Sequence, residues 1–212
     1  MLNERFKLTD WSDSSVFIVD DDAPACASIA AMISAFGIKC ETFDSAEAFL
    51  SAGRQDQPGC LITDLQLGGM DGRSLIRHLW SSNCTMPAII VSGHIDIRTA
   101  VEAMANGAVT VLEKPVRPFE LWEHIVRALS LDAKKREAKR LAEEYRTRRN
   151  TLTESELEVL ECLIRGEPHK TIAINLDLAP RTVDLRRKAI LQKMGVETIV
   201  ELAAMISGCS EE

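Results

Sequence analysis

Four apolar runs in the first 112 residues each end in polar groups suited to handling a cation or a phosphate. VFIV (16–19) is followed by Asp20, Asp21 and Asp22, and CLIT (60–63) by Asp64. AIIV (88–91) is followed by Ser92, and VTVL (109–112) by Glu113, Lys114 and Pro115. One strand-end carboxylate carries no meaning, whereas several carboxylates, a hydroxyl and an ammonium along one rim make a site. Gathered carboxylates repel unless a cation holds them. One or two carboxylates with water and phosphate oxygens describe magnesium coordination. A lysine and a small hydroxyl would grip the remaining oxygens of a phosphoryl group. The chemistry is phosphoryl transfer, catalysed by positioning and charge neutralisation, and an aspartate can itself be the acceptor as an acyl phosphate.

A second constellation lies between Ala179 and Met194. Arg181, Arg186, Arg187, Lys188 and Lys193 stand there against Asp184 alone, in a chain whose net charge is −7. Overall acidity argues against indiscriminate polyanion binding, so a local basic stripe points to a more selective contact.

The apolar runs, with IKCETF (38–43), read as strands. Between them lie apolar residues at helical spacing, around Ile29–Met32–Phe36, Ala46–Phe49–Leu50, Leu75–Ile76–Leu79 and Val101–Met104. Asp44 followed by Glu47 resembles a helix start. Strands alternating with helices imply right-handed crossovers and a parallel sheet covered on both faces, in keeping with continuous rather than alternating apolarity. Ligands of such a sheet bind beyond the carboxyl ends of its strands, which turns the strand-end residues into one rim.

From Phe119 to Arg165 there is neither glycine nor proline. Leu121, Ile125 and Leu129 give this stretch an apolar face before it becomes strongly charged. Residues 131–150 hold eight basic and four acidic side chains, with Ala138, Leu141, Ala142 and Tyr145 at helical spacing. This predicts a packing helix running into a helical linker over 131–149, its 138–145 face either solvated or a dimer seam. Thr153 and Glu156 have capping-box spacing before the next apolar run, and Thr198 and Glu201 repeat it. Further helices are expected after Pro168 and after Pro180, where proline at the first helical position is pre-organised. The expected divisions are an N-terminal extension (1–14), an α/β domain (15–130), the linker, an all-α module (150–208) and a short tail (209–212).

Composition narrows the class. Apolar residues make up 46% and charged residues 27%, ordinary for a globular protein. No run of about 18 uncharged apolar residues is present, and the N-terminus lacks the apolar core of a signal peptide, so no membrane association is expected. Six cysteines without a C-x-x-C spacing imply buried free thiols in a reducing cytoplasm. His78, His94, His124 and His169 form no recognisable acid–base arrangement, so no hydrolase or other enzyme is expected.

IVDDD, LITDLQLGGMDG, VSGH and LEKP, in this order and spacing, resemble a two-component receiver domain. GHIDIRTAVEAMANGAVTVLEKP resembles its FixJ branch. The resemblance covers about residues 14–130 and implies a flavodoxin-like (βα)5 fold with strand order 2-1-3-4-5. It implies Asp64 as phosphoacceptor, with Mg²⁺ held by Asp20, Asp21, Asp64 and the Gln66 main-chain carbonyl. Ser92 and Lys114 would contact phosphoryl oxygens, and the Lys114–Pro115 bond would be cis. Asp22 is read as a structural helix start. Two positions depart from the family. Gly68 stands at a usual proline, implying a looser loop, and Val111 replaces the aromatic switch residue that turns inward with the Ser/Thr.

LTESELEVL (152–160) and CLIRGEPHKTIAINLDLAPRTVDLRRKAILQKMGV (162–196) resemble the LuxR/NarL-type helix-turn-helix. HKTIAINL would be the scaffold helix and PRTVDLRRKAILQKM the recognition helix. Val183, Ile190 and Met194 should face the core, and Arg181, Leu185, Lys188 and Gln192 the opposite side, which fits a major groove. The resemblance assigns base contacts to Asp184, Leu185 and Lys188: cytosine N4, a thymine methyl and guanine O6/N7, respectively. Lys170, Thr182, Arg186 and Lys193 are expected on phosphates, with Arg181 on the same DNA-facing side. Asp177 replaces a turn glycine, Ala179 a capping serine, and Arg186 a histidine.

The reading is a DNA-binding response regulator. A sensor histidine kinase would phosphorylate Asp64, the receiver would dimerise, and paired heads would bind promoter DNA, with RNA polymerase a further contact. A second reading, favoured by Val111 and Ala179 but opposed by the intact acidic set, is a DNA-binding protein indifferent to phosphorylation. Its receiver would serve as a dimer or partner scaffold.

Overall fold

The computed structural model describes residue 11 and residues 13–82, 84–93 and 95–208. His94, the tail at 209–212 and most of the expected N-terminal extension (1–10 and 12) lie outside the described residues. The chain divides into two compact units, Met1–Lys135 and Arg136–Glu212. Among the described residues no helix is long and apolar enough to cross a membrane. Cys26, Cys60 and Cys162 are buried, Cys40 and Cys84 half-buried, and none of these five forms a disulfide.

In the first unit, β1 (Ser15–Val19), β2 (Lys39–Phe43), β3 (Gly59–Thr63), β4 (Ala88–Ser92) and β5 (Ala108–Glu113) form one parallel sheet in the order β2-β1-β3-β4-β5. Every residue of β3 and β4 is buried, as central strands covered on both faces require. The edge strand β2 is largely open and begins at Lys39, with Ile38 left outside it. Val16 and Ile18 point into one core with Ile29 and Ile33 of α1 (Ala23–Ala35). Phe17 and Val19 point into the other, with Phe49 of α2 (Ala46–Ser51), Leu75 of α3 (Gly72–Ser81) and Ala103 of α4 (Ile97–Ala105). The period-two alternation of a single strand thus feeds both layers.

Each of these helices starts on a side-chain cap, from Asp22, Ser45, Asp71 and Asp96. The expected start at Asp44 falls one residue early: Ser45 Oγ accepts from Ala48 N, while Asp44 accepts from the Ser45 hydroxyl. Gly107 turns α4 into β5 at a φ of 97°, with the Trp80 ring lying against it.

The helix α5 is a single element from Pro118 to Arg149, 32 residues long. Its first half packs Leu121, Ile125, Ala128 and Leu129 into the α1-side core. Two residues beyond the expected domain limit, the buried Asp132 accepts from Gly59 N at 2.9 Å and the Thr85 hydroxyl at 3.1 Å. That contact fastens the helix to the start of β3.

The end of α5 is part of the second unit. Tyr145 packs against that unit's core, and Arg148 donates to Met194 O at 2.6 Å. Tyr145 is therefore a packing residue of its own unit, while Ala138 and Leu141 on the same face are exposed. The rest of the unit is α6 (Glu154–Ile164), α7 (His169–Asn175), α8 (Pro180–Met194) and α9 (Ile199–Gly208). Val159, Ile172, Val183, Ile190, Met194 and Leu202 form its centre. Thr153 and Glu156 make the expected capping box. The second one is incomplete: Thr198 accepts from Glu201 N, but Glu201 reaches Glu197 N rather than Thr198 N. Asp177 takes a left-handed φ of 51° in the turn before α8, the position where glycine is usual.

Candidate functional site

Parallel register sets the rim. Val19 pairs with Thr63, Thr63 with Ile90, and Ser92 with Glu113, so the residues after β1, β3 and β5 emerge side by side. Lys114 Nζ lies 2.7 Å from Asp20 Oδ2 and 2.7 Å from Asp64 Oδ2, bridging the two carboxylates. Asp20 is buried and its other oxygen accepts from Asp22 N. Asp64 Oδ1 accepts from Gln66 N at 3.1 Å, and the buried Ser92 stands beside the same carboxylate. Asp21 is exposed at the mouth. The Lys114 backbone is tied in by its own N–H to Ser92 O, and the Lys114–Pro115 bond is cis.

The charges in the group support one another. Burial pushes the Asp64 carboxyl up, but hydrogen bonds from Lys114, Ser92 and the Gln66 backbone, with the ammonium charge, outweigh it and hold the group below its usual range. Burial pushes the Lys114 ammonium down, and its bonds to Asp20 and Asp64 and their charges prevail, raising it. Asp64 is thus an anion and Lys114 a cation across the neutral range.

The loop after Asp64 is held from two sides. Gly72 sits so close to Asp64 O that a Cβ there would collide with that carbonyl, which fixes the start of α3 against Asp64. On the other side Glu47 of α2 accepts from Met70 N at 2.8 Å, and a Cβ on Gly69 would lie 2.8 Å from Glu47 Oε1. A Cβ on Gly68 would meet only Asp21 Oδ2, at 3.6 Å, an ordinary contact. The loop therefore has a tether, although it lacks the proline. Val111 is half-buried at the edge of the α2–α4 core.

As for the cation, no group of three His, Cys, Asp or Glu side chains converges among the described residues. Lys114 stands between Asp20 and Asp64 and takes the place of a counter-ion. The donors that remain, hard carboxylate oxygens plus a main-chain carbonyl, fit Mg²⁺, which needs only one or two carboxylates beside water and phosphate.

In the second unit, Arg181, Leu185 and Lys188 are exposed along one side of α8, and Val183, Ile190 and Met194 are buried on the other. Lys170 is exposed at the start of α7, and Thr182 is half-buried in the first turn of α8. Ala179 provides no side-chain cap. Three expected contacts are engaged within the module. Lys193 Nζ lies 2.7 Å from Glu156 Oε2, so it is drawn into the capping box rather than standing free for phosphate. Arg186 reaches Ser155 O at 3.5 Å. Asp184 Oδ1 lies 3.0 Å from His169 Nδ1. Glu47, Asp132, Arg148 and His169 escaped the sequence reading because each acts on a partner remote in the chain.

Comparison with known proteins agrees with this geometry. Residues 16–126 match the family described as response regulator receiver domain, and residues 150–206 the family described as bacterial regulatory proteins, luxR family. The transcriptional regulatory protein FixJ of Rhizobium meliloti (strain 1021) is 37% identical over 194 residues, 92% of this chain and 95% of that protein. The response regulator protein TodT of Pseudomonas putida is 34% identical over 189 residues, 89% of this chain and 83% of its own. Among solved structures, the response regulator StyR has a TM-score of 0.81 at 33% identity, covering 92% of this chain and 99% of that one. Full-length FixJ from B. japonicum has a TM-score of 0.57 at 30% identity, covering 95% and 99%. A receiver-type rim at one end of a 2-1-3-4-5 sheet, joined to a helix-turn-helix module of the LuxR type, places this chain in the family of FixJ-like two-component response regulators.

Proposed function

We propose that Asp64 accepts a phosphoryl group from the phosphohistidine of a sensor kinase, and that the acyl phosphate controls sequence-specific binding to promoter DNA. The observation that carries the reading is the Lys114 bridge, with one ammonium 2.7 Å from both Asp20 and Asp64. An Asp64 carboxylate oxygen attacks phosphorus, an O–P bond forms, and the P–N bond to the kinase imidazole breaks. Lys114 then follows the new negative charge from the carboxylate to a phosphoryl oxygen, and Ser92 donates to another. Asp20, Asp21, Asp64 and the Gln66 carbonyl are the residues that would hold Mg²⁺, which supplies charge neutralisation at the transferring group. An apolar hollow of about 200 Å³ between α1 and the segment after Lys114, lined by Ile29, Met32, Pro115 and Val116, offers a kinase helix a seat.

The response then leaves through α4. Ile97, Val101 and Met104 are 86%, 63% and 54% exposed at i, i+4 and i+7, an apolar stripe suited to a second receiver. Dimerisation brings two recognition helices to paired half-sites. The test is incubation with acetyl phosphate and Mg²⁺, followed by intact mass, size-exclusion chromatography and DNA affinity for wild type and Asp64→Asn. Wild type should gain one phosphoryl group, associate and bind DNA more tightly, and the variant should do none of these. Failure of wild type to take the group sinks the reading. The half-buried Val111 favours a second reading, DNA binding indifferent to phosphorylation, which the same experiment reports as labelling without change in association or affinity.

A further inference from the structure

The geometry points to His169 as a positioning residue for base recognition: it holds the Asp184 carboxylate on the scaffold side of α8 and so keeps Lys188 free. This rests on the reading that Asp184 and Lys188 face base edges. Asp184 precedes Lys188 by four residues on the same helix, the orientation in which an acid and a base pair best across one turn. Both are exposed, and Arg181 and Arg187 stand three residues either side of Asp184. Asp184 pairs with none of these cations among the described residues. Its Oδ1 lies instead 3.0 Å from His169 Nδ1, contributed by the first residue of α7.

Two features of the local chain make this partner matter. Ala179 leaves the start of α8 without a side-chain cap, so no hydroxyl or carboxylate at that end fixes the first turns. The left-handed Asp177 lies in the turn that carries the chain from α7, where His169 stands, into α8. Without the imidazole, Asp184 is left to swing along its own helix to Lys188. The pair that forms removes one acceptor and one donor from the groove together. With it, the carboxylate is held in one orientation and the ammonium stays available to guanine.

The prediction is read from base preference rather than from affinity alone. The full-length protein, treated with acetyl phosphate and Mg²⁺, is used to select its sites from a randomised duplex pool. Single-base variants of the selected site are then compared for wild type, His169→Ala, His169→Asn, Asp184→Ala and the His169→Ala/Asp184→Ala double variant. His169→Ala should relax the position read by Asp184 about fivefold or more, the lower end of the worth of one good base contact. It should weaken the guanine preference of Lys188 about twofold, the worth of an exposed i,i+4 pair. Removing Asp184 as well should restore the guanine preference, because no carboxylate then competes for Lys188; a merely structural His169 would show no such rescue. His169→Asn, which keeps a polar donor, should retain most of the wild-type profile. If Asp184→Ala alters base preference and His169→Ala does not, the inference is overturned while the DNA-reading role of Asp184 stands. If Asp184→Ala leaves every preference unchanged, the contact reading fails and the inference with it. A uniform loss of affinity in His169→Ala and in the double variant, with a lowered melting temperature, also overturns it.

Discussion

Lys114→Met keeps the length of the side chain and deletes its charge, so it isolates what the ammonium does between Asp20 and Asp64. Two charge-assisted bonds of 2.7 Å are lost. Each such bond contributes about 1.5–3 kcal/mol net. The bonds share one ammonium whose side chain is 22% exposed, which lowers their joint worth to about 2–4 kcal/mol. The loss is concentrated on Asp20, whose side chain is only 2% exposed. For a unit of this size about 3–4 °C of melting temperature accompanies each kcal/mol, so the variant should melt about 6–16 °C lower at pH 7 without Mg²⁺.

The pH dependence has a definite sign. The Asp64 carboxyl is held below its ordinary value of 3.8, so the stabilisation is complete above that value and fades as pH falls through the folded-state one. Lys114 is raised above 10.5, so its contribution is complete below 10.5 and fades only as pH rises through the higher folded-state value. The gap between wild type and variant should therefore be flat across the neutral range and close in acid. Added Mg²⁺ should raise the variant's melting temperature more than the wild type's, because the carboxylates have lost their competing cation; linkage gives about 1.4 kcal/mol at a tenfold excess over the dissociation constant. Differential scanning fluorimetry across pH and Mg²⁺ reads all of this. A variant melting within a degree or two of wild type, or a gap that persists unchanged into strong acid, refutes the electrostatic account of the rim.

Three further outcomes are expected. Glu47→Ala frees Met70 N and the Gly68–Met70 loop and should shorten the lifetime of the phosphorylated form severalfold, measured by loss of the phosphoryl mass over time, while Glu47→Gln keeps the acceptor and most of the lifetime. Gly107→Ala places a Cβ 2.5 Å from Trp80 Cε2 at a φ of 97°, so the first unit should lose about 1–3 kcal/mol in urea unfolding, with Trp80 emission reporting the same transition. Lys170→Ala should flatten the salt dependence of DNA binding by about one unit of slope and leave base preference unchanged, as measured by titrations between low and moderate salt.

What the sequence displays and what it hides follow from the range of the forces involved. The central strands are plain in CLIT and AIIV because burial on both faces demands unbroken apolarity. The edge strand is blurred in IKCETF, where half the surface meets water. Capping is a local matter, so Thr153–Glu156 is legible. Asp44 and Ser45 are both competent caps, and only the backbone decides between them. The rim is legible because parallel register aligns strand ends whatever lies between them. Lys193 looks like a free cation in α8, and only the approach of α6 brings Glu156 to it. Glu47, Asp132 and His169 are unremarkable in the chain for the same reason: their partners are 23, 73 and 15 residues away in sequence. The break between α5 and α6 contains neither glycine nor proline; Thr153 and Glu156 make it by capping the next helix.

The Asp132 contact gives α5 two fixed ends within the first unit. The helix begins three residues after Pro115, at the carboxyl ends of the strands, and Asp132 pins it to Gly59 N at their amino ends. A rod clamped at both margins of the sheet resists sliding along its own axis. Any displacement of Lys114 towards a newly bound group must then be absorbed in Pro115, Val116 and Arg117, a hinge of three residues with no slack beyond it. The stiff flank of the domain is the α5 side, and compliance is left to the opposite flank, where α4 carries its unpartnered apolar residues.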